Sequence, residues 1–482
     1  MRKYNLQMLP VTLEIKNKKL MKKYIILTFF GLFIFSTALF SQPFEWYTQG
    51  DFEPQYRVEF VIENSLDIDR ENTPVTIKRE NFPLPDVHEM WVTVVDPLLT
   101  PRPAPTSDTL AIQGGHHIRE ETHGRMIHHQ MDDLNKDGVW DELFFQMDLK
   151  AKEKRTIHIY IGYNGRGWNP HRTHANIGSY CRHVVPFWES EDIGWKLWFA
   201  NTVDVFGKRK PLLMSQRLYM DNLDGYGVAF IDEDFGTDIM SVSTSFGGGG
   251  IGLFEFEDQP GKVSRPRFTP AQEALAMNAS FNAGQISDTR YAYDVVVNGP
   301  VRSMIRIKAM NWDTGNGNYE YEQYYTAYTG QSYSTSKVVF TQFLPKQKGV
   351  LMGAGVRQKP GEDDFVQEGG MLITSGPEVI RDPTFEGDEE DREEVIVPFV
   401  GQGLVVKDKY EPEYQFVSEH LGNHTYRITP DSNNSYEFMI LAGWAEGAVY
   451  NTIESFNEYV RKSALEFNHP VIPHFIKKEE KP

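Results

Sequence analysis

The chain has 482 residues, 67 acidic against 49 basic, a formal charge of -18 and 13 % aromatic side chains. That length can bury a large core, the acidic balance argues against a nucleic-acid partner, and the single cysteine, Cys181, excludes an intrachain disulfide. Plentiful Gly, Pro and aromatic residues, without long Ala/Leu/Glu runs, favour β structure.

Residues 1–20 are polar and precede Met21-Lys22-Lys23, the apolar run Tyr24 to Phe40, and the small residues Ser36, Thr37, Ala38 and Ser41. The run is long enough to span a bilayer, but its basic start and small-residue end read as a cleaved export signal. Residues 1–41 are therefore expected to be an N-terminal extension and signal peptide, and 42–482 one large domain. The mature protein is expected in the periplasm, with no stable membrane association once the signal is gone.

Arg57 to Asn64 alternates apolar and polar residues and predicts a half-buried strand; Val75 to Ile77 and Trp91 to Val95 read likewise. The proline-rich segment Pro97 to Thr109 is a loop. Five of the fourteen histidines follow in one window, His116, His117, His123, His128 and His129, without a compact zinc spacing. Asp133, Asn135, Asp137 and Asp141, with Gly138 between them, match the start of a calcium loop, but Phe144 stands where an EF-hand has its twelfth-position acid. Either a shortened loop holding a structural Ca2+ or a metal-free turn with side chains capping backbone N–H groups accounts for this spacing. Leu143 to Leu149 and Thr156 to Tyr163 resume as strands.

Lys154 to Trp188 and Val205 to Met220 contain no Asp or Glu, although the chain as a whole is strongly acidic. These stretches hold Arg182, His183, Lys208, Arg217 and Tyr219, and between them Pro186 to Phe199 carries Trp188, Glu189, Trp195 and Trp198. Basic groups, imidazoles and flat rings in one segment suit an anionic sugar; the competing reading is a set of solvated strand edges. The glycine run in Thr244 to Leu253 lacks nucleotide-loop spacing and suits close backbone approach.

Strands are predicted over Tyr291 to Val297, Val301 to Lys308, Tyr319 to Tyr328, Tyr333 to Phe343 and Val350 to Val356, and again over Gln402 to Lys407, Tyr414 to Ser418, Thr425 to Ile428 and Glu437 to Leu441. The acidic run Asp382 to Glu394 reads as a solvated loop. One helix, Ile453 to Phe467, is expected to present Phe456, Val460, Leu465 and Phe467, with Pro470 past its end. The result is an all-β protein, a large antiparallel β-sandwich with few helices.

The stretches HVVPFWESEDIGWKLWFANTVDVFGKR, DLNKDGVWDELFFQ, TDIMSVSTSFGGGG, VVVNGPVRSMIRIK and TAYTGQSYSTSKVVF resemble a Bacteroidetes family of exported proteins found with polysaccharide-utilisation genes, and within it the ulvan-oligosaccharide dehydratases. The resemblance runs from about Arg57 to Phe467. It implies a galactose-mutarotase-like sandwich and removal of water from the non-reducing-end uronic acid of a sulfated oligosaccharide. Where relatives carry a Tyr-His pair ahead of Asp238, this chain reads Phe230-Ile231-Asp232.

Such a reaction needs a cation on the uronate, a base at C5 and an acid at the C4 oxygen. Arg217, Lys208 and Arg182 are candidate carboxylate binders and Trp188 a stacking platform. His123 or His183 is a candidate base, and Tyr219 or Glu189 a base or acid. Arg217 and Tyr219, two apart, would share one face of a strand. A lyase that cleaves a uronic-acid linkage needs the same groups, and a non-catalytic glycan-binding protein needs only the rings and cations.

Overall fold

The computed structural model describes residues 45–103, 120–163, 170–180, 183–198, 201–215, 234–242, 245–266, 289–381, 394–419 and 421–482. The export signal, the acidic run 382–393, His116, His117, Arg182, Arg217 and Tyr219 lie outside them. Thr48–Pro482 forms one compact unit, built from antiparallel strands around two cores, so the all-β sandwich expectation holds.

The first core lies in an N-terminal lobe. Alternating apolar residues of Glu53–Glu63 and Lys154–Tyr163, among them Val58, Phe60, Ile157 and Ile159, face Val75, Ile77, Leu143 and Phe145 from Arg70–Lys78 and Glu142–Leu149. The strand Pro473–Glu480 pairs with Glu53–Glu63, so the C-terminal segment completes the N-terminal lobe.

The second core is formed over an eight-stranded sheet whose middle strands are Arg302–Asp313, Gly317–Tyr328, Tyr333–Pro345, Ser435–Trp444 and Glu394–Val406. One face carries Ile305, Ile307, Tyr321, Tyr325, Phe438 and Ile440 into a core shared with a five-stranded and a four-stranded sheet. The five-stranded sheet is Thr173–Tyr180, His183–Ser190, Ile193–Trp198, Thr202–Lys208 and Gly236–Asp238, the segment read from sequence as a basic and aromatic island. Gly247, at φ 62°, lets two backbones touch: a Cβ there would lie 2.0 Å from the Val203 carbonyl oxygen.

The other face of the eight-stranded sheet receives the helix Ile453–Asn468 through Phe456, Tyr459, Val460 and Ala464, which meet Phe399, Met439 and Leu441. Thr452 caps the helix by accepting from the Ser455 N–H at 3.2 Å. Leu465, expected on the buried face, is exposed. Nine residues of about 100° each turn it to the side opposite Phe456.

Arg302 fastens the lobes to each other. Its Nε donates to Asp132 at 2.6 Å and its Nη2 to Glu142 at 2.8 Å, while Gln130 Oε1 accepts from the Val301 and Arg302 N–H groups. Arg302 lies over the Phe144 ring and its pKa is raised, because the charges of Asp132 and Glu142 outweigh burial. Arg302→Met leaves Asp132 buried without its cation and should cost about 3–5 kcal/mol. Urea unfolding monitored by fluorescence measures this, and Arg302→Met with Asp132→Asn should recover part of the loss.

Candidate functional site

In three dimensions the basic island is largely neutralised. Lys154 pairs with Glu63 at 2.9 Å, Arg155 with Asp96 at 2.5 Å, Arg172 with Glu191 at 3.2 Å, Lys210 with Asp234 at 3.5 Å, and Arg209 with Glu446 at 2.6 Å, every acid coming from outside the acid-free stretches. What the segment builds instead is a buried anchor and, in front of it, a small group of solvent-accessible bases and cations.

The anchor joins two residues singled out from sequence, Glu189 and Lys208. The strand His183–Ser190 pairs Glu189 opposite His174, and Thr202–Lys208 ends beside it. Lys208 Nζ donates to the Glu189 carboxylate and to the carbonyls of Ser190 and Leu212, which takes all three of its N–H groups. Glu189 also accepts from the Met214 N–H at 3.0 Å, the Ser215 N–H at 2.9 Å and the Ser215 hydroxyl. Burial opposes its ionisation, but the Lys208 charge and these bonds hold it down to about 2. Both groups are fully buried, so Lys208 has no hydrogen left for a substrate carboxylate and Glu189 is a fixed anion.

The anchor orients an imidazole. With the Ser215 O–H directed at Glu189, the Ser215 oxygen accepts from His174 Nδ1 at 2.8 Å, which leaves Nε2 of His174 as the basic nitrogen. His174 is partly exposed, and Arg172, two residues earlier and about half exposed, projects to the same side while Thr173 between them is buried. Arg172 also acts on His128, in the turn before the strand His129–Asp132: burial, then the charges of Arg102 and Arg172, hold the His128 pKa below its ordinary value, so the ring is neutral at pH 7. Burial and the neighbouring Glu191 carboxylate push Asp192 up to about 6, against the pull of Lys208 and Arg172. Arg102 is itself held by Glu121 at 3.1 Å.

The other sequence-derived candidates fall elsewhere. Trp188 is enclosed in the core between Tyr325, at 4.6 Å between ring centroids, and Trp195, at 6.2 Å, so both its faces are covered by protein. Trp195 is buried with it. His123 is exposed, at a left-handed φ of 58°, between the short strands Glu121–Thr122 and Arg125–Met126. The His183 backbone pairs opposite Tyr180 and its side chain is outside the described residues. Sequence reasoning passed over Arg102, His128, Arg172 and His174 as individual groups; the density of His and Arg in two windows pointed to the last three, and nothing pointed to Arg102 in the proline-rich loop.

In the Asp-rich loop the side chains close on the backbone. Asp133 accepts from the N–H groups of Asp137 and Gly138, Asn135 from Asp137, Asp137 from Val139, and Asp141 from Leu134 and Asn135. Among the described residues no three His, Cys, Asp or Glu side chains converge as metal ligands; these Asx bonds belong equally to a shortened calcium loop and to a metal-free turn. A structural Ca2+ on Asp133, Asn135, Asp137 and Asp141 should make the melting temperature fall with chelator and return with calcium, as differential scanning fluorimetry would read; an unchanged temperature would leave the metal-free turn.

Glu189→Gln should destabilise the protein by about 3–5 kcal/mol at neutral pH, because Lys208 then keeps a buried charge without its counterion. The folded Glu189 pKa lies below its ordinary 4.5, so this contribution is complete above that value and is lost as pH falls towards about 2. Wild type and variant should accordingly converge in acid in denaturant titrations.

No curated protein matches the chain. Among solved structures it is similar to an alpha-mannosidase from Enterococcus faecalis V583, at 10 % identity and a TM-score of 0.42, over 88 % of this chain and 46 % of that one. It is also similar to a protein in glycosyl hydrolase family 38 from Enterococcus faecalis, at 8 % identity and a TM-score of 0.43, over 88 % of this chain and 48 % of that one. The chain spans about half the length of each. A family model described as a domain of unknown function, DUF4861, matches residues 62–472. That match takes in the second core, most of the first and the C-terminal helix, and the chain belongs to the DUF4861 family.

Proposed function

We propose that this protein is an exported, periplasmic dehydratase that removes water from the non-reducing-end uronic acid of an acidic, ulvan-type oligosaccharide, giving a 4,5-unsaturated uronate. The observation that carries the reading is Arg172, half exposed beside Glu191 at 3.2 Å and two residues before His174, whose Nδ1 is held on Ser215 at 2.8 Å, with the Arg172 charge also acting on His128.

Taking the C5 proton of a uronic acid places charge next to its carboxylate, so a guanidinium on that carboxylate lowers the barrier. Arg172 fills this role through the part of its guanidinium that the Glu191 pair leaves exposed. A neutral imidazole, His128 or His174 through Nε2, accepts the C5 proton; the C–H electrons become the C4–C5 double bond and the C4–O4 bond breaks. Asp192, which keeps its proton up to about 6, protonates the departing oxygen, which leaves as water. Arg217 and Tyr219 follow Ser215 by two and four residues in the sequence and are carried as further proposed contacts to the uronate and to the proton in flight. Glu189, Lys208 and Ser215 are positioning residues for His174.

Uronate-terminated sulfated oligosaccharides incubated with the protein should gain unsaturated-uronate absorbance and lose the mass of one water. Chain cleavage would make it a lyase, and binding without change a glycan-binding protein. Arg172→Ala should lower kcat/KM by on the order of 100-fold, and Arg172→Lys, which keeps a cation beside the buried Glu191, should lose rate with less effect on the melting temperature. With Asp192 as acid the rate should fall as pH rises through about 6. The acid limb should lie below the ordinary histidine value, because His128 stays unprotonated there.

A further inference from the structure

A second surface on the molecule has the chemistry of a glycan site and shares none of the residues grouped around Arg172. Between the outer face of the eight-stranded sheet, the strand Arg70–Lys78 and the C-terminal end of the helix Ile453–Asn468 lies a cleft of about 950 Å3. That is within the range of about 300–1,000 Å3 typical of ligand pockets, which favour junctions of this kind. Its floor is set by strand alternation. Residues 302, 304 and 306, then 322, 324, 326 and 328, then 333, 335, 337 and 339 all project outward, while Ile305, Ile307, Tyr321, Tyr325 and Val338 point into the core.

The lining is polar and biased to positive charge in a chain of net charge -18. Six cations, Arg70, Lys78, Arg302, Arg306, Lys337 and Lys407, stand against four glutamates. Three of the four acids are already engaged: Glu142 by Arg302, Glu322 by Arg306 at 3.9 Å, and Glu437 by Lys407. The fourth, Glu466, has Lys462 at 4.0 Å from a buried Oε1 that makes no hydrogen bond among the described residues, and burial pushes its carboxyl up to about 7. Lys337 is exposed and makes no ion pair among the described residues. Tyr324, Tyr328 and Tyr333 add ring surface and hydroxyls, and Thr326 and Thr335 add further hydroxyls.

We propose that this cleft is an accessory binding site for an acidic oligosaccharide, holding a carboxylate or sulfate on Lys337 and sugar rings against Tyr324, while Arg306 stays with Asp294 at 3.3 Å and Glu322. The ligand class is that of the proposed function, but the cleft is a separate place and its test does not depend on turnover.

The test uses the full-length protein carrying Arg172→Ala and His174→Ala, so that the first site does not contribute, with calorimetry of tetragalacturonate, neutral cellotetraose and a penta-glutamate peptide. Saturable binding of tetragalacturonate alone is expected. Lys337→Ala and Tyr324→Ala, added singly, should each weaken it about tenfold, the size of one charge-assisted or stacking contact, with the melting temperature preserved. The milder Lys337→Gln should show a similar loss if either alanine variant misfolds. Absence of binding in the starting protein, equal binding of the peptide, or affinity unmoved by the Lys337 and Tyr324 changes would each overturn the assignment. A protein that binds in this way yet never releases water from its substrates would sink the dehydratase reading and leave the cleft standing.

Discussion

The constraint on which the rest of the structure depends is that the eight-stranded sheet is too wide and too apolar to leave either face to water. Ser435–Trp444 shows this within one strand, since Phe438 and Ile440 enter the main core while Met439 and Leu441 meet the helix. The five-stranded and four-stranded sheets cover one face completely. The helix and the N-terminal lobe cover parts of the other, fastened by Arg302 and Gln130. Where that second cover is incomplete the sheet turns polar, and a cleft remains.

The same geometry decides the fate of the charges. A stretch without acids along the chain is not a positive patch in space, because antiparallel pairing brings distant strands alongside, and with them Glu63, Asp96 and Glu191. A buried cation is tolerated only with its counterion and hydrogen bonds in place, and Lys208 obeys that rule through Glu189 and two carbonyls. The Glu189–Lys208 pair is thereby a structural anchor that, through Ser215, sets the orientation of His174.

The proposed site lies at the junction of two lobes, a placement with a physical logic. Strand ends and connecting turns there carry polar groups that neither core can absorb, so Arg172, His128 and Asp192 are partly desolvated yet accessible. Partial burial lowers the pKa of an imidazole and raises that of a carboxyl, which poises one to accept and the other to give a proton near neutrality.

Much of the fold was legible in the sequence. Strands with one buried face, such as Glu53–Glu63 and Gly317–Tyr328, show alternation that survives any tertiary context, and the helix is bounded by a Thr cap and a following proline. The five-stranded sheet was not legible as strands, because Ile193–Trp198 and Thr202–Lys208 are buried along nearly their whole length, and burial on both sides erases the period of two. The grouping of Arg102, His128, Arg172 and His174 is also absent from the sequence as a pattern. Arg172 and His174 lie in one segment, but Arg102 and His128 belong to the N-terminal lobe, and only the docking of that lobe brings the charge of Arg172 to bear on His128. Local periodicity thus determined which segments became strands and helix, while side-chain partners, set by contacts between residues far apart in the chain, were decided by the tertiary structure alone.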